Sequence, residues 1–258
     1  MGVKQLFDLA GRVAVVTGGS RGLGLQMAEA LGEMGARIAI TARKKDELEE
    51  AVAHLKGLGI AATPYPNDLG KREQIEPMAG ALLEKFGKVD ILVNNAGATW
   101  GAPAEDHPME AWDKLVNLNL SGMFLLSQII AKRSMIPAKW GRIVNIASVN
   151  GLQATDMRLL KNAAYVATKH GVVGLTRQLA TEWGAHGITV NAICPGFFPS
   201  KMTKSTLDTA GEFVRQATPT GRLGGEEDLK GLVVLLASDA SRHITGQAIA
   251  VDGGATIL

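Results

Sequence analysis

Apolar residues along the chain come in two rhythms. Short β-branched runs alternate with longer stretches in which apolar positions recur at three- and four-residue spacing. The runs Arg12–Thr17, Arg37–Thr41, Ala61–Pro66, Val89–Val93, Gly141–Ala147, Ile188–Ile193 and Gln247–Val251 predict seven strands. Continuous apolar runs of this kind mark strands covered on both faces. Pro64 and Pro66 place the third strand at an edge, since proline has no N–H to give a ladder. Helical spacing predicts helices from the glycine-rich turn at Gly24 to Gly35, and over Asp46–Leu55, Lys71–Phe86, His107–Ser134, Asn162–Trp183 and Asp228–Ser238. No repeat or linker divides the chain. Strand and helix in regular succession predict one doubly wound α/β domain over residues 1–258. The segment 197–225 breaks the rhythm, with few strand signals and much Thr, Gly and Pro. Beside a site, such a segment is a candidate substrate lid.

Composition narrows the function classes. The chain of 258 residues is 46% hydrophobic and 20% charged, with a net charge of +2. No long-range field argues for nucleic acid or an anionic membrane. Cys194 is the sole cysteine, so no disulfide can form within the chain, and a cytoplasmic home is the default expectation. No signal peptide is read at the N-terminus, and no run reaches the ~20 apolar residues that span a bilayer. His54, His107, His170, His186 and His243 show no metal-ligand spacing and read as structural or surface residues.

The chemistry sits at the ends of the predicted strands. Thr17 to Gly24, with Gly18, Ser20, Arg21, Gly22 and Leu23 between them, links the first strand to a helix. Glycines let a ligand approach the backbone, and a helix N-terminus offers unpaired N–H groups to phosphate. The second strand ends on Ala42-Arg43-Lys44-Lys45, without the carboxylate that would hold a ribose 2′-hydroxyl. Arg43 suits a 2′-phosphate, with Arg21 as a second contact; a solvated basic turn is the alternative. Asp68 and Leu69 follow the third strand, where a side chain reaches an adenine. Asn94-Asn95-Ala96-Gly97 closes the fourth. Asn119 lies mid-helix, where asparagine is disfavoured and distorts the helix or is simply buried. Ser148 stands at the carboxyl end of the fifth strand, where open parallel sheets bind ligands. Tyr165 and Lys169 are four apart on a helix and share a face. A cation within about 4–6 Å favours a phenolate, so Lys169 is expected to lower the Tyr165 pKa and make a general acid/base.

These motifs, in this order and spacing, resemble the short-chain dehydrogenases/reductases over about Leu6 to Gly254. The resemblance implies a Rossmann domain with a mostly parallel seven-stranded sheet and helices on both faces. It implies a catalytic tetrad: Ser148 binds the substrate oxygen, Tyr165 exchanges the proton, Lys169 lowers the Tyr165 pKa and holds the nicotinamide ribose, and Asn119 anchors a water. It implies cofactor contacts from Gly18, Leu23, Asp68, Leu69, Asn95, Gly97, Pro195, Gly196 and Phe198. Ser200 stands where the family usually has threonine, and the hydroxyl is retained. Arg21 and Arg43 match members that prefer NADP(H). The expected activity is NADP(H)-dependent interconversion of a ketone and a secondary alcohol. Two substrate classes stay open, 3-oxoacyl compounds and a gluconate 5-dehydrogenase-like sugar acid. Trp100, Phe197 and Phe198 suit an apolar chain; Arg158, Lys161, Lys201 and Lys204 suit an acid. A non-catalytic NADP(H)-binding sensor or scaffold is the rival class, and it has no use for an intact Tyr165–Lys169 pair. The resemblance also implies a homotetramer, with Ala255–Leu258 as an interface element.

Overall fold

Val13–Thr17 (β1) is buried at every position and divides its side chains between two layers. Ala14 and Val16 enter one cluster and Val15 the other. A one-residue slip would exchange the two sets, so register is fixed from both faces. The computed structural model describes residues 1–156 and 158–257. Strands β2 (Arg37–Ala42), β3 (Ala62–Pro66), β4 (Ile91–Asn94), β5 (Gly141–Ile146), β6 (Ile188–Pro195) and β7 (Ala248–Val251) join β1 in the order β3-β2-β1-β4-β5-β6-β7. The sequence predicts a mostly parallel sheet; all six neighbouring pairs are parallel. The proline-bearing β3 is an edge strand, as its sequence requires.

Helices cover both faces. On one side α1 (Gly22–Glu33), α2 (Lys45–Gly57) and α7 (Lys230–Ala237) contribute Met27, Leu31, Leu48 and Val233 to the first cluster. On the other, α3 (Arg72–Phe86), α4 (Met109–Ala138) and α5 (Ala163–Trp183) contribute Ile75, Leu126 and Leu179 to the second. Although the sequence shows no bilayer-length apolar run, α4 is by length and composition apolar enough to cross a membrane. Here it is a core helix, with half of its most apolar window buried. A further helix, α6 (Lys204–Gln216), lies inside the segment 197–225, read from sequence as poor in strand signals and a candidate lid. It buries little more than Thr206, Gly211 and Val214, too narrow a stripe to stand out in sequence.

Some element ends differ from the sequence reading for identifiable reasons. β4 starts at Ile91, and just before it the Asp90 carboxylate accepts the Val13 N–H at 2.9 Å and pairs with Arg12 and Lys88. α7 starts at Lys230 because Asp228 accepts from Gly225 N and from Arg222, closing a turn instead of entering the helix. α4 carries two wide turns with i→i+5 bonding, Asn117–Gly122 and Ala131–Met135. The first contains Asn119, where the sequence anticipated distortion. It also contains Gly122, whose missing Cβ lets the helix pass the Leu69 carbonyl.

The order in which strands are added to the sheet reverses between β1 and β4. β2 and β3 extend the sheet one way, and β4 to β7 the other. At such a switch point the carboxyl ends of the strands part and leave a crevice.

Candidate active site

The crevice is a cleft of about 570 Å³. Its wall includes Gly18, Ser20, Arg21, Gly22, Leu23 and Gly24 from the β1–α1 turn, then Arg43, Asp68, Leu69, Asn95, Gly97 and Ser200. The sequence nominated each of these. The turn is held from behind. Thr17 Oγ1 accepts the Asn95 and Ala96 N–H groups, both at 2.9 Å. The Asn95 amide donates back to the carbonyls of Thr17 and Gly18 at 2.9 and 3.2 Å. A Cβ on Gly24 would strike the Gly18 carbonyl, so no larger residue fits there. Gly22 has φ +54° and open space where a Cβ would stand. Asn95 therefore braces the turn from the cleft wall.

Not every nominated residue reaches this cleft. The Phe198 ring is buried against Gly224 in the apolar core, and Phe198 lines a second cavity of about 320 Å³ instead. Gly196 lines that second cavity too, its N–H bonded to the Val251 carbonyl. Pro195 is buried at the end of β6. Arg21, read from sequence as a phosphate contact, places its guanidinium on Glu47, at 2.8 and 2.9 Å from the two oxygens. Arg43 is exposed at the cleft mouth and has no ion pair among the described residues.

None of the four residues of the expected tetrad is in the cleft lining itself, but Asn119 and Lys169 meet behind Gly97 at its inner end. A Cβ built on Gly97 would lie 3.3 Å from Asn119 Oδ1 and 3.8 Å from Lys169 Nζ. Asn119 spends its amide on the chain: Oδ1 accepts the Ala98 N–H at 2.9 Å, and Nδ2 donates to the Ala98 carbonyl and to Thr168 Oγ1. It pins the β4 loop to α4 and α5. Lys169 Nζ donates to the Ile146 carbonyl at 2.7 Å and lies 5.5 Å from the Tyr165 ring centre. Ser148 Oγ accepts the Asn150 N–H at 3.1 Å, which fixes the start of the loop after β5.

The electrostatics correct one expectation. Burial pushes the Tyr165 pKa up, against the Ser148 hydrogen bond that draws it down. Lys169 Nζ, 5.5 Å from the ring centre, does not reverse that rise. Burial instead lowers Lys169 itself to about 8. The sequence places the cation four residues away but cannot register how much water the fold removes from both groups. Burial also raises the nearby Cys194 thiol to about 11, so it stays protonated.

Asn94, from the motif that closes β4, and three residues that sequence reading missed support this end from below. Asn94 donates to Ser127 Oγ and Asn145 Oδ1, and Asn145 donates to Thr176 Oγ1, each at 2.9 Å. All four residues are buried. They tie β4, β5, α4 and α5 into one polar joint. The available signal was an asparagine inside the apolar run Ile143–Ile146. Among the described residues no group of three His, Cys, Asp or Glu side chains is placed to hold a metal.

Known proteins share this arrangement. A gluconate 5-dehydrogenase of Gluconobacter oxydans (strain 621H) is 36% identical over 98% of both chains. A rhamnolipids biosynthesis 3-oxoacyl-[acyl-carrier-protein] reductase of Pseudomonas aeruginosa is 38% identical, over 96% of this chain and 97% of its own. The crystal structure of a gluconate 5-dehydrogenase from Burkholderia cenocepacia J2315, in complex with NADP and tartrate, superposes with a TM-score of 0.93 at 34% identity, covering 100% of each chain. The short chain dehydrogenase family pattern matches residues 12–211, from the start of β1 into α6. That span takes in both the braced glycine turn and the Tyr165–Lys169 pair, and with relatives similar along their whole length it makes the chain a member of the short-chain dehydrogenase family.

Proposed function

We propose that the protein is an NADP(H)-dependent oxidoreductase interconverting a ketone and a secondary alcohol, with Tyr165 as general acid/base. One observation carries this: Lys169 Nζ and Asn119 Oδ1 converge beneath Gly97, at a cleft whose glycine turn is braced for close backbone approach. The cleft fits a dinucleotide. Asn67 Oδ1 and Thr99 Oγ1 are buried there without hydrogen-bond partners. Gly18 to Gly24 would hold the pyrophosphate, Arg43 the 2′-phosphate, and Asp68 and Leu69 the adenine. When bound, the dinucleotide supplies or accepts the hydride. Tyr165, its pKa raised, stays protonated at neutral pH and can give its proton to a carbonyl oxygen. Ser148 donates to the same oxygen as negative charge grows there. The Lys169 ammonium, mostly charged below about 8, meets the charge that then appears on the phenol. Its help falls in the transition state, where it raises turnover. The segment 197–225 serves as the lid.

The 320 Å³ cavity beside Val149 and Asn150 favours a 3-oxoacyl-type substrate, since Leu159, Phe197, Phe213, Val214 and Leu223 give it apolar walls. A sugar acid is the second reading. Of the cations expected to attract it, Arg158 is paired with Asp156 and Lys204 with Asp208, leaving Lys161 and Lys201 without ion pairs among the described residues. NADPH oxidation with acetoacetyl thioesters and with 5-ketogluconate tests both, and turnover of neither by the intact enzyme overturns the proposal. For assembly, a homotetramer is proposed, with Ala255–Ile257 at an interface; Ile257 is 83% exposed, and Leu258 lies outside the described residues. Light scattering at micromolar concentration decides this, and a monomer overturns it.

A further inference from the structure

Glu47 stands in the first turn of α2, in the wall of the nucleotide cleft. Its side chain is only 22% exposed although cations crowd it. Lys44 Nζ donates to Oε1 at 2.9 Å, and Arg21 Nη1 reaches both oxygens. Its pKa is lowered by the Lys44 hydrogen bond first, then by the charges of Arg21, Lys44 and Lys201. Lys201 belongs to the segment 197–225, so the carboxylate is felt from three separate stretches of chain. Arg21, Arg43, Lys44 and Lys201 all line the cleft, against Glu47 and Asp68. Asp68 has no ion pair among the described residues and accepts the Gly70 N–H at 3.0 Å instead. Glu47 is thus the anion seated on the very cations that a phosphate at the mouth of the cleft would use.

Glu47 takes Nη1 of Arg21 and Nζ of Lys44, and a phosphate brought to the same two cations competes for those donors and is repelled by the carboxylate. Arg43 and Lys201, without ion pairs among the described residues, are available in advance. We propose that Glu47 is a resident counter-anion: it holds Arg21 and Lys44 at the cleft mouth and exchanges with an incoming 2′-phosphate. By competing for those cations it sets how strongly a 2′-phosphorylated adenosine is preferred over an unphosphorylated one. Glu47 is a specificity-determining residue that opposes the ligand its neighbours attract. This rests on the reading that the 2′-phosphate sits between Arg21 and Arg43.

The test is calorimetry on the protein without nucleotide, using 2′,5′-ADP and 5′-AMP, which differ only in the 2′-phosphate. Glu47→Gln keeps the shape and removes the charge. It is expected to bind 2′,5′-ADP about fivefold tighter at low salt, the scale of one partly screened charge near a dianion. Binding of 5′-AMP should change less than twofold, and the gain should shrink as salt is raised. Unchanged or weaker 2′,5′-ADP binding overturns the proposal, as does equal tightening of both ligands. A purely structural Glu47 would lower the melting temperature and weaken both together, which also overturns it. Arg43→Ala separates the underlying reading: if it leaves 2′,5′-ADP affinity unchanged, the phosphate site itself is misplaced, whatever Glu47→Gln does.

Discussion

The two ends of the cleft use charge in opposite ways. At the inner end Lys169 is buried and its surroundings are fixed by backbone carbonyls and neutral side chains. At the outer end Arg21, Arg43 and Lys44 are exposed, and Glu47 pairs with two of them. A buried charge interacts strongly and cannot move away; an exposed one is screened and readily changes partner. The inner end can therefore stabilise a transition state without reorganising. The outer end can only select and release, and it does so in a salt-dependent manner.

The largest effect should come from removing the inner proton donor. Tyr165→Phe keeps the ring, and turnover is expected to fall at least ~100-fold with cofactor binding nearly intact. Near wild-type turnover would remove the contrast altogether. At the outer end, Arg43→Ala should raise KM for NADPH about tenfold and leave NADH constants little changed, since a charged hydrogen bond contributes roughly 1.5–3 kcal/mol. Equal losses for both cofactors would mean that Arg43 stacks on adenine and reads no phosphate. The same KM should climb with ionic strength in the wild type, and that climb should flatten in Arg43→Ala.

Asn145→Ala strikes the joint under the inner end. It leaves Asn94 and Thr176 short of partners, at about 1–3 kcal/mol. A domain of this size should then melt roughly 2–4 °C lower per kcal/mol lost. An unchanged melting temperature would show that the joint does not contribute to stability. A further effect is a pH slope in the protein without ligand. Lys169 holds its proton less tightly folded, at about 8, than unfolded, near 10.5. Between those values the unfolded chain binds more protons, so stability gains from this group as pH rises from 8 towards 10.5. Lys169→Met should remove that gain in denaturant midpoints taken across the same window.

How much of this was legible in the sequence follows the same division. The strands were, because burial on both faces writes itself as unbroken apolar runs such as Val13–Val16. The positions of Ser148, Tyr165 and Asn119 were, because spacing along a strand or helix is local. Partnerships across the fold were not. Arg21 and Glu47 are 26 residues apart, and nothing in either stretch announces the pair. The sign of the Tyr165 shift was missed for a related reason: a neighbouring lysine is visible in sequence, whereas dehydration is a property of the assembled whole. α6 escaped because few of its residues are buried.

The strand order has a consequence for how the chain is made. β1 is the first strand synthesised, yet it lies inside the sheet, and Ala14 faces Ile91 on its far side, 77 residues later. With every pair parallel there is no hairpin that could cover that side early. At roughly 5–20 residues per second, translation leaves one edge of β1 without its neighbour for several seconds. Its ladder N–H and C=O groups and its valines form a temporary adhesive edge during that time. Growing chains should therefore be most prone to aggregate, and most in need of a chaperone, just before β4 leaves the ribosome.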